Sequence, residues 1–163
     1  MKKLTIIRHA KSDWSFDVPD MDRPISKRGK NDVQIMAELI DTINFFPQII
    51  YSSPSKRTVE TYEYFLKYSS VFKNIEFQKS NQLYDFSGYN VLEFIRNIDD
   101  LYSSVILFSH NNSCSFLTAE LGGEYKHVPT CGIIIFDFDV SLWSQISNGK
   151  LNHYFPKSYR WNS

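Results

Sequence analysis

Two runs constrain this chain more than any other feature. "SVILFSH" at 104–110 and "GIIIFDFD" at 132–139 are almost unbroken stretches of apolar side chains. A strand with one wet face alternates apolar and polar residues, so an unbroken run of this length argues a strand covered on both faces. Shorter strand-like runs recur at "KLTIIR" (3–8), "QIIYSS" (48–53) and "IEFQ" (75–78). Between them the spacing turns helical. After "RPISKRG", Val33, Met36, Ala37 and Ile40 recur at three and four residues, with Ser26 placed as an N-cap. In "SPSKRTVETYEYFLKY", Thr58, Tyr62 and Phe65 share a face, with Ser53 as the cap and Pro54 in the first turn. "VLEFIRNIDDLY" and "NNSCSFLTAELGG" supply a third and a fourth helix, the latter stopped at Gly122 and Gly123. Alternating strands and helices predict a three-layer α/β/α sandwich on a mostly parallel sheet. The 163 residues are enough for a single domain spanning 1–163 with one substantial core.

Charge narrows the function classes. Eighteen basic residues balance 18 acidic ones, so no global field draws the chain to nucleic acid or to an acidic membrane. Any anion binding must be local. Only four mostly apolar residues separate the lysines of "MKKLTIIRHA" from Arg8, too few for a signal-peptide core, and no stretch has the length of a membrane span. Cys114 and Cys131 have neither redox-motif nor metal-ligand spacing. The expectation is a reduced, cytoplasmic protein, in which the sequon-like "NNS" at Asn111 has no meaning for glycosylation. Oligomeric state is not legible.

In parallel sheets, ligands sit beyond the carboxyl ends of the strands. The first strand ends in Arg8-His9, the second runs into "SSPSKR" with Arg57 in the following helical turn, and the fourth ends in Ser109-His110-Asn111. Two histidines and two arginines thus take equivalent places, beside helix N-termini whose free N–H groups favour anions. Two guanidiniums and helix N-termini suit a tetrahedral dianion such as phosphate. The imidazoles add a nitrogen nucleophile and a proton carrier. Pure binding would not need His9, so a non-catalytic phosphoryl-binding module is the weaker alternative.

These residues resemble the histidine phosphatase superfamily, of phosphoglycerate mutase-like fold. "RHA" is similar to its RHG signature, "SSPSKRTVET" to its second motif with Arg57, and "SHN" to its third with His110. "DMDRPISKRG" (20–29) looks like the D-x-x-R-P-L-S-x-x-G of the small SixA-type branch, the phosphohistidine phosphatases. The resemblance implies that His9 attacks phosphorus and carries the phosphoryl group until water removes it. It implies that Arg8, Arg57 and His110 hold the equatorial oxygens, and that neither metal nor cofactor takes part. His127 and His153 have no carboxylate or cysteine pattern around them. The partner implied is a phosphorylated protein or a small phosphorylated molecule.

Departures from the pattern matter. Ala10 and Ser109 stand where the family carries glycine, and Ser15 is a poor substitute for the asparagine of mutase-like members, which disfavours a sugar-phosphate mutase. The proton donor is open: Asp85 in "NQLYDFSGYN" is either that acid or an ordinary turn residue. Asn111 either bonds a phosphate oxygen or caps the fourth helix. Asp22 and Arg23 suggest an ion pair fixing the loop before Pro24. Lys11 and Lys56 flank the site. An alkyl phosphate must expel an alkoxide and needs a strong general acid, whereas phosphohistidine expels an imidazole of pKa about 6.5. The doubtful acid therefore favours a P–N bond as substrate, with a small-molecule phosphomonoesterase as the alternative.

Overall fold

A computed structural model describes residues 1–160. Six strands form one sheet: β1 (Lys2–Arg8), β2 (Ile49–Ser52), β3 (Glu76–Lys79), β4 (Ser104–Ser109), β5 (Ile133–Phe138) and β6 (Lys150–Tyr154), in the order β3-β2-β4-β1-β5-β6. The β3, β2, β4 and β1 neighbours pair in parallel, and β5 and β6 pair antiparallel. Four helices cover the sheet: α1 (Lys27–Ile40), α2 (Lys56–Tyr68), α3 (Tyr89–Arg96) and α4 (Ser113–Gly122). This is the layered α/β arrangement expected. Among the described residues no helix is long and apolar enough to cross a membrane.

The unbroken apolar runs are explained by the two cores. Val105 and Leu107 of β4 point into the layer holding Val91, Ile95, Leu117 and Leu121 of α3 and α4. Ile106 and Phe108 point into the opposite layer, with Val33, Met36, Ile40 and Phe65 of α1 and α2. On β5, Ile134 and Phe136 join the first layer while Ile133 and Ile135 join the second. Period-two alternation therefore buries all of β4 but Ser104 and all of β5 but Asp137.

Several boundaries differ from expectation. Ser26 caps α1 as expected, its Oγ accepting from the Gly29 N–H at 3.1 Å. The cap of α2 is Ser55 rather than Ser53, and Pro54 lies ahead of the helix. The third helix starts earlier than "VLEFIRNIDDLY" suggests and stops at Arg96. α4 ends as expected, with Gly123 in the left-handed conformation at φ 80°. β6 was not expected: "KLNHY" has no clean alternation, because an edge strand exposed along much of its length needs none.

Register brings the strand ends together. Arg8 lies opposite Ser109, and Ser52 opposite Phe108. The next residues, His9, Ser53 and His110, therefore emerge side by side where β1 and β2 flank β4. α1 and α2 leave on one face of the sheet, and α3 and α4 on the other, so this is the switch point at which open α/β sheets form a crevice.

Candidate active site

His9 is held from behind. Its main-chain N–H donates to the Ser109 carbonyl at 3.1 Å, and its ring Nδ1 lies 2.7 Å from the Ala10 carbonyl. A carbonyl only accepts, so Nδ1 carries the ring proton and Nε2 carries the lone pair. Nε2 makes no hydrogen bond to the described protein. The ring is 8% exposed, and its pKa is pushed down to about 3, first by burial, with the Arg57 and Arg8 guanidiniums adding to the effect. His9 is therefore a neutral imidazole with an available nitrogen throughout the ordinary pH range.

Two cations flank it. Arg8 anchors one nitrogen on the Val128 carbonyl at 2.8 Å, while its buried Nε has no partner among the described residues. Burial lowers the Arg8 pKa, and the nearby Arg57 charge lowers it further. Arg57, in the first turn of α2 as expected, is 4% exposed and reaches across to Asp20. Its NH1 donates to the Asp20 carbonyl at 2.6 Å and its NH2 to Oδ2 at 2.9 Å. The same NH2 lies 3.3 Å from Nδ1 of His110. A guanidinium only donates, so Nδ1 of His110 accepts and its Nε2–H donates to Ser53 Oγ at 2.8 Å. His110 is wholly buried and its pKa falls to about 2, chiefly through burial and then through His9 and Arg57.

The cavity in front of these groups has a volume of about 240 Å³. Arg8, His9 and Arg57 line it, together with Lys11, Asp20, Arg23, Trp14 and Phe86. Three of the four residues singled out from the strand ends thus face one cavity. His110 was expected to touch a phosphate oxygen, but it stands behind Arg57, 5.4 Å from the His9 ring centroid, with both ring nitrogens engaged by protein. Lys11 reaches the cavity, and Lys56 lines a separate groove.

The expected proton donor is placed elsewhere. The Asp85 carboxylate accepts from the main-chain N–H groups of Ser87, Gly88, Asn90 and Val91 and from the Ser87 hydroxyl. Burial alone would raise its pKa, but these bonds outweigh burial and lower it. Asp85 tethers the start of α3 and does not line the cavity. Asn111 likewise spends its Oδ1 on the main chain and hydroxyl of Ser115, at 3.2 and 2.6 Å, which is the helix-start role rather than a phosphate contact. The loop ion pair exists, but Arg23 makes it with Asp20 at 2.9 Å and not with Asp22.

Asp20 is a carboxylate lining the cavity that the sequence did not single out. Its carboxylate receives Arg57, Arg23 and the Tyr84 hydroxyl at once. The available signal was its place in "DMDRPISKRG", read there only as part of a motif. Trp14 covers this cluster, with Arg23 stacked 3.7 Å from its ring centroid. Among the described residues no group of three or more His, Cys, Asp or Glu is arranged to hold a metal ion, and His127 and His153 are both exposed.

Residues 4–88 match the family model of the histidine phosphatase superfamily, branch 1. The backbone superposes on the protein histidine phosphatase SixA complexed with tungstate with a TM-score of 0.80, at 21% identity, over 96% of this chain and 98% of that one. A structure from Agrobacterium tumefaciens, assigned as the phosphohistidine phosphatase SixA, gives a TM-score of 0.73 at 24% identity over 83% of this chain and 91% of that one. An uncharacterised chloroplast protein of Arabidopsis thaliana is 25% identical over 152 residues, which is 88% of this chain and 70% of that protein. At these identities the solved structures share the fold with this chain.

Proposed function

The chain belongs to the histidine phosphatase superfamily, and from that premise we propose that it is a phosphatase working through a phosphoryl group carried on His9. One observation carries the reading: Nδ1 of His9 is pinned to the Ala10 carbonyl, which leaves Nε2 unprotonated and unbonded beside two guanidiniums. A binding module would gain nothing from a nucleophile so oriented. In the first step Nε2 attacks phosphorus in line, and the P–N bond forms as the bond to the leaving atom breaks. Arg8 and Arg57 neutralise the equatorial oxygens, and His110 with Ser53 fixes the guanidinium of Arg57 from behind. Water then attacks phosphorus, releasing inorganic phosphate and restoring the neutral His9. No step calls for a metal.

The substrate we favour is phosphohistidine borne by a protein, with a small phosphomonoester as the second reading. The cavity rim supports it: Trp14 and Phe86 line the edge at 71% and 45% exposure, an open aromatic margin that a side chain on another protein can approach. Leaving-group chemistry agrees with it, since an imidazole departs once singly protonated and makes a smaller demand on any acid in the site than an alkoxide does. Mass spectrometry of the chain quenched during turnover should find one phosphate on His9. Full phosphatase activity in His9→Ala would overturn the mechanism. A side-by-side panel of a phosphohistidine peptide and common phosphate monoesters would choose between the two substrates.

A further inference from the structure

We propose that Asp20 is the internal anion of the resting phosphate clamp and that the substrate, by displacing it, turns it into the proton donor for the leaving group. This rests on the phosphatase reading above and adds the residue that reading leaves unassigned. Among the described residues Asp20 is the only carboxylate lining the cavity that holds His9. It offers its carbonyl and Oδ2 to Arg57 and its Oδ1 to Arg23, the arrangement a phosphoryl group would otherwise present to the same guanidiniums. Its side chain is 45% exposed, so protons exchange freely with water. The acid anticipated in the sequence, Asp85, is committed to the start of α3 and does not face the cavity.

The chemistry follows from competition for one cation. With the site empty, three donors hold Asp20 ionised. A phosphoryl dianion that takes the NH2 of Arg57 removes one of them and places negative charge beside the carboxylate. Both changes favour the protonated acid, so Asp20 takes a proton from solvent as the substrate seats. As the bond from phosphorus to the leaving nitrogen or oxygen breaks, the bonding pair stays on that atom and the Asp20 proton is transferred to it. When water attacks the phosphorylated His9, the Asp20 carboxylate accepts the water's proton. As phosphate leaves and Arg57 returns to the carboxylate, Asp20 releases that proton to solvent, so the net reaction consumes one water and leaves Asp20 ionised as it began. Arg23, clamped between Trp14 and Asp20, keeps the carboxylate in the cavity after Arg57 has turned to the phosphate.

The test is Asp20→Asn, which keeps size and an accepting oxygen but cannot donate a carboxylic proton. Wild type and variant are compared on 4-nitrophenyl phosphate, phenyl phosphate and an alkyl phosphate, in order of rising leaving-group pKa. The expected result is a graded loss of kcat, about 100-fold or more on the alkyl ester and a few-fold at most on the nitrophenyl ester. Inorganic vanadate should inhibit the variant at lower concentration than the wild type, because the competing carboxylate charge is gone. An equal loss on all three esters, with no gain in vanadate affinity, would reduce Asp20 to a positioning residue and overturn the proposal. So would an unchanged alkyl-ester rate. A circular-dichroism melt and burst labelling of His9 by 4-nitrophenyl phosphate establish that the variant is folded and phosphorylatable. If the wild type itself neither turns over any ester nor takes phosphate on His9, the phosphatase reading fails, and this proposal with it.

Discussion

The cavity has a floor and a rim, and they are built differently. The floor is His9 and Arg57, backed by His110; all three are buried, with His9 bonded to the Ser109 carbonyl at the end of β4, and His110 bonded to Ser53 and to Arg57. The rim is Trp14, Asp20, Arg23 and Phe86, carried on loops and a 3-10 turn at Asp20–Asp22, and held by ion pairs and ring contacts that water can reach. Burial makes the floor's electrostatics strong and its geometry rigid. Exposure makes the rim's interactions weak singly and easy to exchange. A phosphoryl group must be held by the first and admitted by the second.

The sharpest way to break this contrast is to remove a floor cation. Arg57→Ala takes away the buried donor that also positions Asp20, and kcat/KM should fall by about 100- to 1000-fold. Steady-state kinetics on 4-nitrophenyl phosphate reads this directly. A loss below ten-fold would mean that Arg8 and the helix N-termini suffice and that the floor is less singular than its burial suggests.

Gly29 tests whether the floor depends on packing beneath it. A Cβ there would lie 2.5 Å from the Lys11 carbonyl oxygen and 3.3 Å from the Ala10 Cβ. The obstacle is backbone, so the strand end carrying His9 and its Ala10 anchor must shift. Gly29→Ala should lower unfolding free energy by about 1–3 kcal/mol and reduce kcat more than KM. Urea unfolding and kinetics together check it. Unchanged kcat alongside lowered stability would show that the floor tolerates displacement.

The floor also has a pH signature that the rim lacks. His9 and His110 stay neutral in the folded chain down to about 3 and about 2, whereas unfolded imidazoles take up protons below about pH 6.5. The unfolded state therefore binds more protons in this window, and stability falls as pH drops below about 6.5. The tethered carboxylates Asp20 and Asp85 have lowered pKa values and act only below the ordinary carboxylate range, near pH 4. Melting temperature should thus decline already between pH 6.5 and 4.5, less steeply in His9→Gln. An equal slope in the variant would detach the effect from the floor.

The same contrast explains what could be read in the sequence. Floor residues follow apolar runs whose ends are visible: "LTIIRH" and "SVILFSH" carry their functional residues immediately after the strand, and parallel pairing then brings them together. Rim residues have no such marker. Asp20 acts through partners 3, 37 and 64 positions away, Arg23, Arg57 and Tyr84, and only loop placement joins them. Asp85 misled for the opposite reason, since a carboxylate in "YDFSG" has the chemistry of an acid until four main-chain N–H groups are seen to occupy it. His110 was placed at the right strand end, but which way its nitrogens face depends on Ser53 and Arg57, which periodicity does not register. β6 escaped because an exposed edge strand owes its position to pairing with β5 rather than to a pattern of its own.

Trp14 offers the smallest effect and the finest discrimination. Its ring shields the Arg23 side chain, which is 12% exposed although it sits on a loop. An exposed cation–π contact contributes about 0.5–1 kcal/mol, equivalent to a 2- to 5-fold change. Trp14→Ala should therefore raise KM for a small ester within that range and leave kcat nearly constant, because the Asp20 carboxylate keeps its bonds to Arg23 and Tyr84. On a phosphorylated protein the change should be larger, since the exposed ring then also loses contact with the partner's surface. Parallel kinetics on 4-nitrophenyl phosphate and a phosphohistidine-bearing protein separates the two. A kcat loss on the small ester approaching that of Arg57→Ala would make the rim part of the chemistry, and the division between floor and rim would no longer describe how this site works.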